Sequence, residues 1–232
     1  MTAILRLFEG LDRCAPGEAA HLQRIVAAVG PDAVVLDAGC GRGADLPVLL
    51  AAVPQGRVVA VDLAEPFIAH VRAAFPRLDA HVGDMLAPPG GPFDLIWSGG
   101  SAYSPGVAAC LGAWRGALRP GGVVAFTEVC WTTPAPAPEA RAFWAAEYPA
   151  IGDVAALEAL ILTAGWRICE AFWLPRSAWA AYYEPLARRV AALADDPDPE
   201  MRDTCAAFVE EIALWRAHGD DYGYRLSVVT PA

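Results

Sequence analysis

The stretch that decides the fold reads Val34-Val-Leu-Asp-Ala-Gly-Cys-Gly-Arg-Gly43, an apolar run that ends in an acid and continues into three alternating glycines. The apolar run suits a buried strand. The glycines let the backbone turn sharply and approach a ligand closely. A helix that starts near Asp45, with Pro47 in its first turn, would direct free backbone N–H groups towards that turn. The stretch therefore predicts a strand, a turn and a helix that form a nucleotide-type pocket.

Two further apolar runs also contain acids near their ends. Val58-Val-Ala-Val-Asp-Leu63 includes Asp62, and Asp79-Ala-His-Val-Gly-Asp84-Met85 includes Asp84. Asp62 follows the last glycine of the turn by about 20 residues, the spacing at which dinucleotide folds place the carboxylate that binds the ribose hydroxyls. Because the carboxyl ends of parallel strands meet at one edge of a sheet, we expect Asp37, Asp62 and Asp84 to face a common hollow.

Apolar runs alternate with helical patterns up to about residue 130, which predicts an α/β fold with a doubly wound, mostly parallel sheet of seven strands. The fourth and fifth strands are expected at 93–98 and 121–129. The sixth and seventh are expected at 166–174 and 222–230, and the last strand is expected to be antiparallel. Two helices, separated by Asp195-Asp-Pro-Asp-Pro199, are predicted between these last two strands as a helical lid insertion.

We expect one domain over residues 1–232, with helices at 1–30 and a cofactor-binding core at 31–130. Two insertions, 131–152 and 175–221, leave the sheet edge at which open α/β folds bind ligands. Both insertions are rich in aromatic residues. They are therefore predicted to carry the substrate specificity.

The composition limits the partners of the protein. The net charge is −10, and arginine supplies all 17 Lys and Arg residues. Nucleic-acid binding needs clustered basic side chains, so we expect no nucleic-acid partner. The six cysteines are scattered without a Cys-x-x-Cys pair, which predicts neither a metal site nor a disulfide framework. No secretory signal or integral membrane segment is expected, and the protein is predicted to be cytoplasmic.

Five motifs, taken in order, resemble those of the class I (Rossmann-like) S-adenosylmethionine-dependent methyltransferases over about residues 30–130. They are Asp37-Ala-Gly-Cys-Gly-Arg-Gly43, Val61-Asp62-Leu63, Gly83-Asp84-Met85, Phe93-Asp-Leu-Ile-Trp97 and Leu118-Arg-Pro-Gly-Gly122. The resemblance implies S-adenosylmethionine as cofactor and methyl transfer as the reaction.

The resemblance also implies a role for each matching residue. The turn from Gly39 to Gly43 faces the methionine part of the cofactor, and Asp37 holds its amino group. Asp62 binds the ribose diol, while Asp84 and Met85 flank the adenine. The complete set of implied cofactor-binding residues is Asp37, Gly39, Cys40, Gly41, Gly43, Asp62, Leu63, Asp84, Met85 and, closing the pocket from the fourth strand, Ser98.

The remainder of the chain resembles a narrower branch, the small-molecule methyltransferases of the ubiquinone/menaquinone type. The phrases that carry this resemblance include Trp97-Ser-Gly-Gly-Ser-Ala-Tyr103, Phe143-Trp-Ala-Ala-Glu-Tyr-Pro149 and Tyr182-Tyr-Glu-Pro-Leu186. In that branch an acid follows Trp-Ser, whereas this chain has Gly99. The resemblance implies a small-molecule methyl acceptor and leaves its identity open.

Glu128 and several aromatic residues are the candidates for acceptor chemistry. Glu128 lies near the end of an apolar strand, so we expect its carboxylate to be paired with an arginine, protonated or facing a ligand. A buried tyrosine hydroxyl needs a partner, which favours pocket-lining roles for tyrosines of the insertions. Glu128 and Tyr103 are the predicted catalytic residues, and no catalytic histidine is predicted. The predicted substrate-binding residues are Trp131, Tyr183 and Tyr222.

Three functions remain open on the sequence. The first is a small-molecule methyltransferase. The second is a nicotinamide-dependent oxidoreductase, because Gly39, Gly41 and Ala44 together with Asp62 also satisfy the dinucleotide pattern. The third is a cofactor-binding protein without turnover. The aromatic surfaces could serve either a lid or the contact of a homodimer.

Overall fold

Strands and helices alternate along most of the chain in this computed structural model, which describes residues 2–232. The strands are β1 Val34–Ala38, β2 Arg57–Asp62, β3 Asp79–Val82, β4 Phe93–Ser98, β5 Leu118–Trp131, β6 Gly152–Asp153, β7 Trp166–Trp173 and β8 Tyr222–Pro231. The helices are α1 Ala3–Phe8, α2 Ala19–Val26, α3 Leu46–Ala52, α4 Glu65–Ala74, α5 Val107–Arg115, α6 Pro138–Glu147, α7 Val154–Thr163, α8 Arg176–Leu193 and α9 Pro199–His218.

One sheet connects the strands in the order β3-β2-β1-β4-β5-β8-β7. β1 to β5 are mutually parallel, whereas β8 runs antiparallel between β5 and β7. The predicted doubly wound sheet with an antiparallel last strand is therefore confirmed. The prediction of seven strands was one too low, because the two-residue strand β6 also pairs with the end of β5. A strand of two residues is too short to leave a periodic pattern in the sequence.

Hydrophobic cores cover both faces of the sheet. Successive residues of a strand point to opposite faces, so Val35 and Leu95 enter one core while Leu36 and Ile96 enter the other. The first core is closed by α1 to α4, α6, α8 and α9, and the second by α5 and α7. With both faces covered, the edge at the carboxyl ends of the parallel strands is the place left for a ligand.

The two helices predicted between the last two strands are present as α8 and α9. The short helix α1 is fastened to the turn between them by Arg6, which donates hydrogen bonds of 2.9 Å to Asp196 and 2.8 Å to Asp198. Arg189 of α8 donates in turn to the carbonyls of Arg6 and Leu7. The amino-terminal segment and the insertion therefore form one layer over the ligand edge.

The start of α3 is packed closely against the glycine turn. Gly43 has a φ of +82°, a conformation that side-chain-bearing residues rarely adopt, and a Cβ at this position would lie 2.6 Å from Cδ1 of Leu46. The predicted Pro47 is accommodated in the first turn of α3. No helix among residues 2–232 combines the length and the apolar character needed to cross a bilayer.

The close packing at Gly43 predicts a measurable cost for Gly43→Ala. Gly10 has a similar φ of +84°, and a Cβ added there would meet nothing within 4 Å, so Gly10→Ala is the matched control for backbone strain alone. We expect Gly10→Ala to lower the free energy of unfolding by about 1–2 kcal/mol. Gly43→Ala should cost about 1–3 kcal/mol more, because it adds the contact with Leu46. Urea unfolding measures both changes. If the two variants lose the same free energy of unfolding, the Leu46 side chain moves away from the added Cβ without cost and the prediction is wrong.

Candidate functional site

A cavity of about 280 Å³ opens beside the turn that follows β1. We call it the glycine-turn cavity. The predicted residues that line it are Asp37, Gly39, Cys40, Gly41, Asp62, Leu63, Met85 and Tyr103. The cavity lies at the carboxyl ends of β1 and β2, where the sequence predicts the cofactor.

Asp62 is held by backbone groups at the floor of this cavity. Its Oδ2 accepts a hydrogen bond of 2.8 Å from the Gly41 N–H, and its Oδ1 accepts one of 2.8 Å from the Ala64 N–H. Each carboxylate oxygen has more than one lone pair, so both can still accept from a ligand. The glycine turn and the end of β2 are thereby fixed to each other around one carboxylate.

Asp37 is the residue in the cavity whose charge is least compensated. It is 3% exposed, and its Oδ2 is buried without a hydrogen-bond partner among the described residues. Burial raises the pKa of Asp37 well above its ordinary value, the carboxylates of Asp45 and Asp62 raise it further, and Arg13 counteracts them in part. A buried carboxylate in this state favours either a proton or a cationic ligand.

Asp45, which the sequence predicts only as the start of a helix, is a central residue of the site. Its Oδ1 accepts a 2.5 Å hydrogen bond from Arg13, and its Oδ2 accepts one of 2.8 Å from the Trp97 indole. Arg13 and Asp45 both line the cavity. The sequence analysis did not place either residue in the site. Arg13 precedes the first strand and belongs to no motif, and Asp45 was predicted only as the start of a helix.

Three predicted cofactor-binding residues do not line the cavity. Gly43 instead backs onto Leu46. Asp84 is exposed and its Oδ1 accepts from the Leu86 N–H, although its neighbours Gly83 and Met85 do line the cavity. The structure thus brings Asp37 and Asp62 together, while Asp84 lies outside the expected common hollow, because its side chain turns back to its own loop.

Ser98 is also placed away from the cavity. It is fully buried, and its hydroxyl lies 2.7 Å from that of Ser101. Ser101 donates its single hydroxyl proton to the Ala38 carbonyl at 2.8 Å, so Ser98 must be the donor to Ser101. Ser101, three residues further along, lines the cavity in its place.

A second cavity, of about 310 Å³, adjoins the first. We call it the aromatic cavity. The residues that it shares with the glycine-turn cavity are Cys14, Ala15, Gly100 and Tyr103. The aromatic residues that line it are Phe8, Tyr103, Phe143, Trp144, Tyr148, Trp179, Tyr182, Tyr183, Phe208 and Tyr224. A ligand in one cavity is therefore in reach of a ligand in the other.

The predicted acceptor-binding residues are only partly at this cavity. Tyr183 lines it and donates a 2.7 Å hydrogen bond to Glu211. Trp131 and Tyr222 line neither cavity, and the buried Tyr222 hydroxyl has no partner among the described residues. Tyr222 instead packs edge-on against Trp144 and Trp179, at centroid distances of 5.1 and 5.5 Å.

Glu128 is buried in β5 behind the aromatic cavity. It is 5% exposed, and Oε2 has no hydrogen-bond partner among the described residues. Arg225 stands opposite in the sheet register, but its guanidinium lies 4.0 Å from Glu158 instead, so the expected arginine pair is not formed in the described part of the chain. Burial raises the pKa of Glu128 to about 7, and the Tyr148 hydroxyl partly opposes this rise.

Two curated proteins that are similar to this chain are methyltransferases. The chain is 37% identical over 95 residues to trans-aconitate 2-methyltransferase of Azoarcus sp. (strain BH72), covering 40% of this chain and 38% of that protein. It is 33% identical over 145 residues to nocamycin O-methyltransferase of Saccharothrix syringae, covering 57% of this chain and 50% of that protein. The chain thus matches half or less of the length of these relatives.

Among solved structures, the chain is similar to an S-adenosylmethionine-dependent methyltransferase from Geobacter sulfurreducens in complex with S-adenosyl-L-homocysteine. The TM-score is 0.83 at 17% identity, with 100% of this chain and 99% of that chain covered. This similarity establishes the class I, Rossmann-like methyltransferase fold. Residues 35–122 match the protein family described as "Methyltransferase domain". Over these residues the chain is therefore similar to a methyltransferase domain, which agrees with the resemblance of the motifs.

The elevated pKa of Glu128 predicts a pH-dependent effect of Glu128→Gln on stability. The folded protein retains this proton up to a pH of about 7, whereas the ordinary pKa is 4.5. The native state therefore binds more protons between these values, so the wild type loses stability as the pH rises through them. Glu128→Gln should remove this loss, worth about 3 kcal/mol for the full shift.

Urea unfolding at pH 4.5 and pH 8 measures this difference. We expect the variant to gain relative to the wild type at pH 8. Glu184→Gln, at an exposed position of α8, is the control and should show no such change. A difference between Glu128→Gln and wild type that is the same at both pH values would contradict the prediction.

Proposed function

We propose that the protein is an S-adenosylmethionine-dependent methyltransferase that acts on a small-molecule acceptor. The observation that carries the proposal is the buried, uncompensated carboxylate of Asp37 in a cavity bordered by the glycine turn. S-adenosylmethionine has an α-amino group and a sulfonium, and both are positive at neutral pH. A cofactor of this kind would supply the positive charge that the buried carboxylate of Asp37 lacks.

The other residues of the glycine-turn cavity fit the same cofactor. Asp62 has acceptor capacity left for the two ribose hydroxyls. Gly39 lines the cavity with a φ of +76°, and a Cβ there would collide with Ser101, so glycine is needed for the turn to pack against Ser101 at the edge of the cavity. Met85 is an apolar neighbour for the adenine, and Arg13 has donors left for the cofactor carboxylate.

The same charges disfavour a nicotinamide dinucleotide. In dinucleotide folds the pyrophosphate lies on the glycine turn and the helix that follows. Here Asp37 and Asp45 line the cavity, and the two arginines that line it are both partly engaged, Arg13 with Asp45 and Arg42 with the Leu11 carbonyl. Two carboxylates beside a pyrophosphate would repel it, so we favour the methyltransferase over the oxidoreductase.

The mechanism that we propose depends on positioning. The cofactor, when bound, supplies a methyl group already activated by its sulfonium. The chain would hold this group at the junction of the two cavities, next to Tyr103 and Gly100, and would exclude water with the aromatic layer. Holding reactants in line can lower a barrier by roughly 7–11 kcal/mol.

The catalytic residues predicted from the sequence take specific places in this proposal. Tyr103 lines both cavities, and its partial burial, together with nearby carboxylates such as Glu211, raises the pKa of its phenol. It would therefore act as a hydrogen-bond donor to the acceptor rather than as a base. Glu128, with a pKa of about 7, lies behind Tyr148 and would take up a proton through that hydroxyl. It would thus act on the acceptor indirectly.

The partners expected from the sequence remain part of the proposal. The two cavities are small and border carboxylates, which supports a small acceptor rather than a nucleic acid. An exposed apolar groove along α8 and α9, which includes Val209, is the surface that a homodimer would use. The cytoplasmic location is likewise retained as a proposal.

The proposed site predicts that Asp62→Ala weakens cofactor binding. The variant removes a charge-assisted hydrogen bond worth about 1.5–3 kcal/mol, which corresponds to a rise in Kd of roughly 10- to 150-fold. Isothermal titration with S-adenosylhomocysteine measures this change. Asp203→Ala, at an exposed position of α9, is the control and should bind as the wild type does.

Two readouts test the proposal against its alternatives. Thermal-shift assays should show stabilisation by S-adenosylhomocysteine and none by NADH. Incubation with methyl-labelled S-adenosylmethionine and a pool of cell metabolites should label at least one small molecule. Unchanged S-adenosylhomocysteine affinity in Asp62→Ala would refute the pocket assignment, and binding without any transferred label would instead support a cofactor-binding protein without turnover.

A further inference from the structure

The charged side chains that line the aromatic cavity are all acidic. Its ionisable carboxylates are Glu147 at the end of α6 and Glu211 in α9. Among the described residues that line it, there is no arginine or histidine, and the sequence contains no lysine. The charge pattern of this cavity is therefore anionic, without a basic group to bind an anion.

Glu211 is the half-buried carboxylate of the pair. Its Oε1 accepts the hydrogen bond from Tyr183, and it forms no ion pair within the described part of the chain. Arg176, the first residue of α8, is paired with Asp220 and lies over the Trp215 ring. Burial raises the pKa of Glu211 to about 6, and Glu147 contributes to this rise. At neutral pH the cavity therefore holds an ionised carboxylate that lacks a cation.

The aromatic rings that line the same cavity come from three parts of the chain. Trp144 and Tyr148 belong to the first insertion, Trp179 and Tyr182 to α8, and Tyr224 to β8. Neighbouring rings are in contact, with a centroid distance of 4.9 Å between Trp179 and Tyr224. Rings of this kind attract cations through their quadrupole, and desolvation strengthens the attraction. Carboxylates together with aromatic walls are the chemistry that recognises an ammonium group.

We propose that the methyl acceptor of this protein is a small cationic amine, whose ammonium group is bound in the aromatic cavity by Glu211 and Glu147. The ammonium has no lone pair and serves to anchor the molecule. Another atom of the same molecule, one with a lone pair, forms the bond to the methyl group, while the sulfonium sulfur keeps the electron pair of the bond that breaks. The inference rests on the proposed function and specifies its substrate class. An anionic acceptor such as the tricarboxylate named for the Azoarcus relative would meet two carboxylates and no counter-charge here. The similarity to that relative covers 40% of this chain, and the substrate class inferred here rests on the cavity and not on that relative.

Three ligands of similar shape and different charge test which charge the aromatic cavity prefers in a ligand. They are 2-phenylethylamine, 2-phenylethanol and phenylacetate, which are cationic, neutral and anionic at pH 7.5. Each is titrated calorimetrically into the full-length protein saturated with S-adenosylhomocysteine. We expect the amine to bind at least about tenfold more tightly than the alcohol, and the carboxylate to bind more weakly than both. An amine that binds no better than the alcohol, or not at all, overturns the proposal.

Glu211→Gln tests whether the preference arises at this carboxylate. The variant should reduce the affinity for the amine by about tenfold and leave the affinities for the alcohol and for S-adenosylhomocysteine unchanged. Glu210→Gln is the matched control, because Glu210 is the exposed neighbour on the same helix and does not line the cavity. Retained S-adenosylhomocysteine affinity shows that both variants are folded. A preference for the amine that survives in the double variant Glu147→Gln and Glu211→Gln would overturn the assignment.

Failure of this inference can be distinguished from failure of the proposed function. If S-adenosylhomocysteine binds and labelled methyl groups are transferred only to anionic or neutral metabolites, the methyltransferase stands and the cationic acceptor is wrong. If label appears in a cationic metabolite that is retained on a cation-exchange resin and separated from unreacted S-adenosylmethionine, and Glu211→Gln reduces that product while Glu210→Gln does not, the inference is supported.

Discussion

Crowding of carboxylates at one edge of the sheet is the constraint on which the rest of the structure depends. Asp37, Asp45 and Asp62 all line the same cavity. Asp45 is compensated by Arg13 and the Trp97 indole, and Asp62 by two backbone N–H groups. The Oδ2 atom of Asp37 has no hydrogen-bond partner among the described residues. Burying charge without a partner is costly, so the segment that carries Arg13 must fold over this edge.

This requirement explains why the amino-terminal segment belongs to the site although it precedes the first strand. Cys14 and Ala15 follow Arg13 directly and line both cavities. Arg6, further towards the amino terminus, ties α1 to the turn between α8 and α9. The ion pair at Asp45 therefore positions the wall between the two cavities, and the ion pairs of Arg6 connect that wall to the helical insertion.

The sequence was sufficient for the sheet and for the location of the cofactor cavity, because both depend on local pattern. A strand that ends in an acid and glycines can be read without knowledge of distant residues, and Asp37, Asp62 and Met85 line the cavity accordingly. The direction of a side chain in the turn after a strand could not be predicted in the same way. Asp84 turns back to the Leu86 N–H, and Ser98 is bonded to Ser101, which lines the cavity instead. In a turn the direction of a side chain changes from one residue to the next, and the hydrophobic periodicity of the sequence does not predict that direction.

The residues that line the aromatic cavity were harder to predict from the sequence, because they come from segments that lie far apart in the chain. Aromatic density indicated the two insertions, but not which rings face the cavity and which pack behind it. Trp131 and Tyr222 pack behind, whereas Trp179 and Tyr224 line the cavity. Glu211 could not be identified from the sequence, since it is one of two adjacent acids on a long helix. Only the structure shows that Glu211 lines the cavity and accepts from Tyr183, whereas Glu210 does not line it.

The proposed roles of the two cavities are linked by charge. The glycine-turn cavity leaves Asp37 without a counter-charge, and the aromatic cavity leaves Glu211 without one. Two adjoining anionic cavities can each hold a cationic ligand, because the carboxylates offset the repulsion that the two ligands would exert on each other in water-poor surroundings. Glu147 and Glu211 come from different insertions, α6 and α9, so the full negative charge is assembled only when both are docked on the sheet. Specificity for the acceptor would then depend on the packing of the helical layer as well as on the two carboxylates themselves.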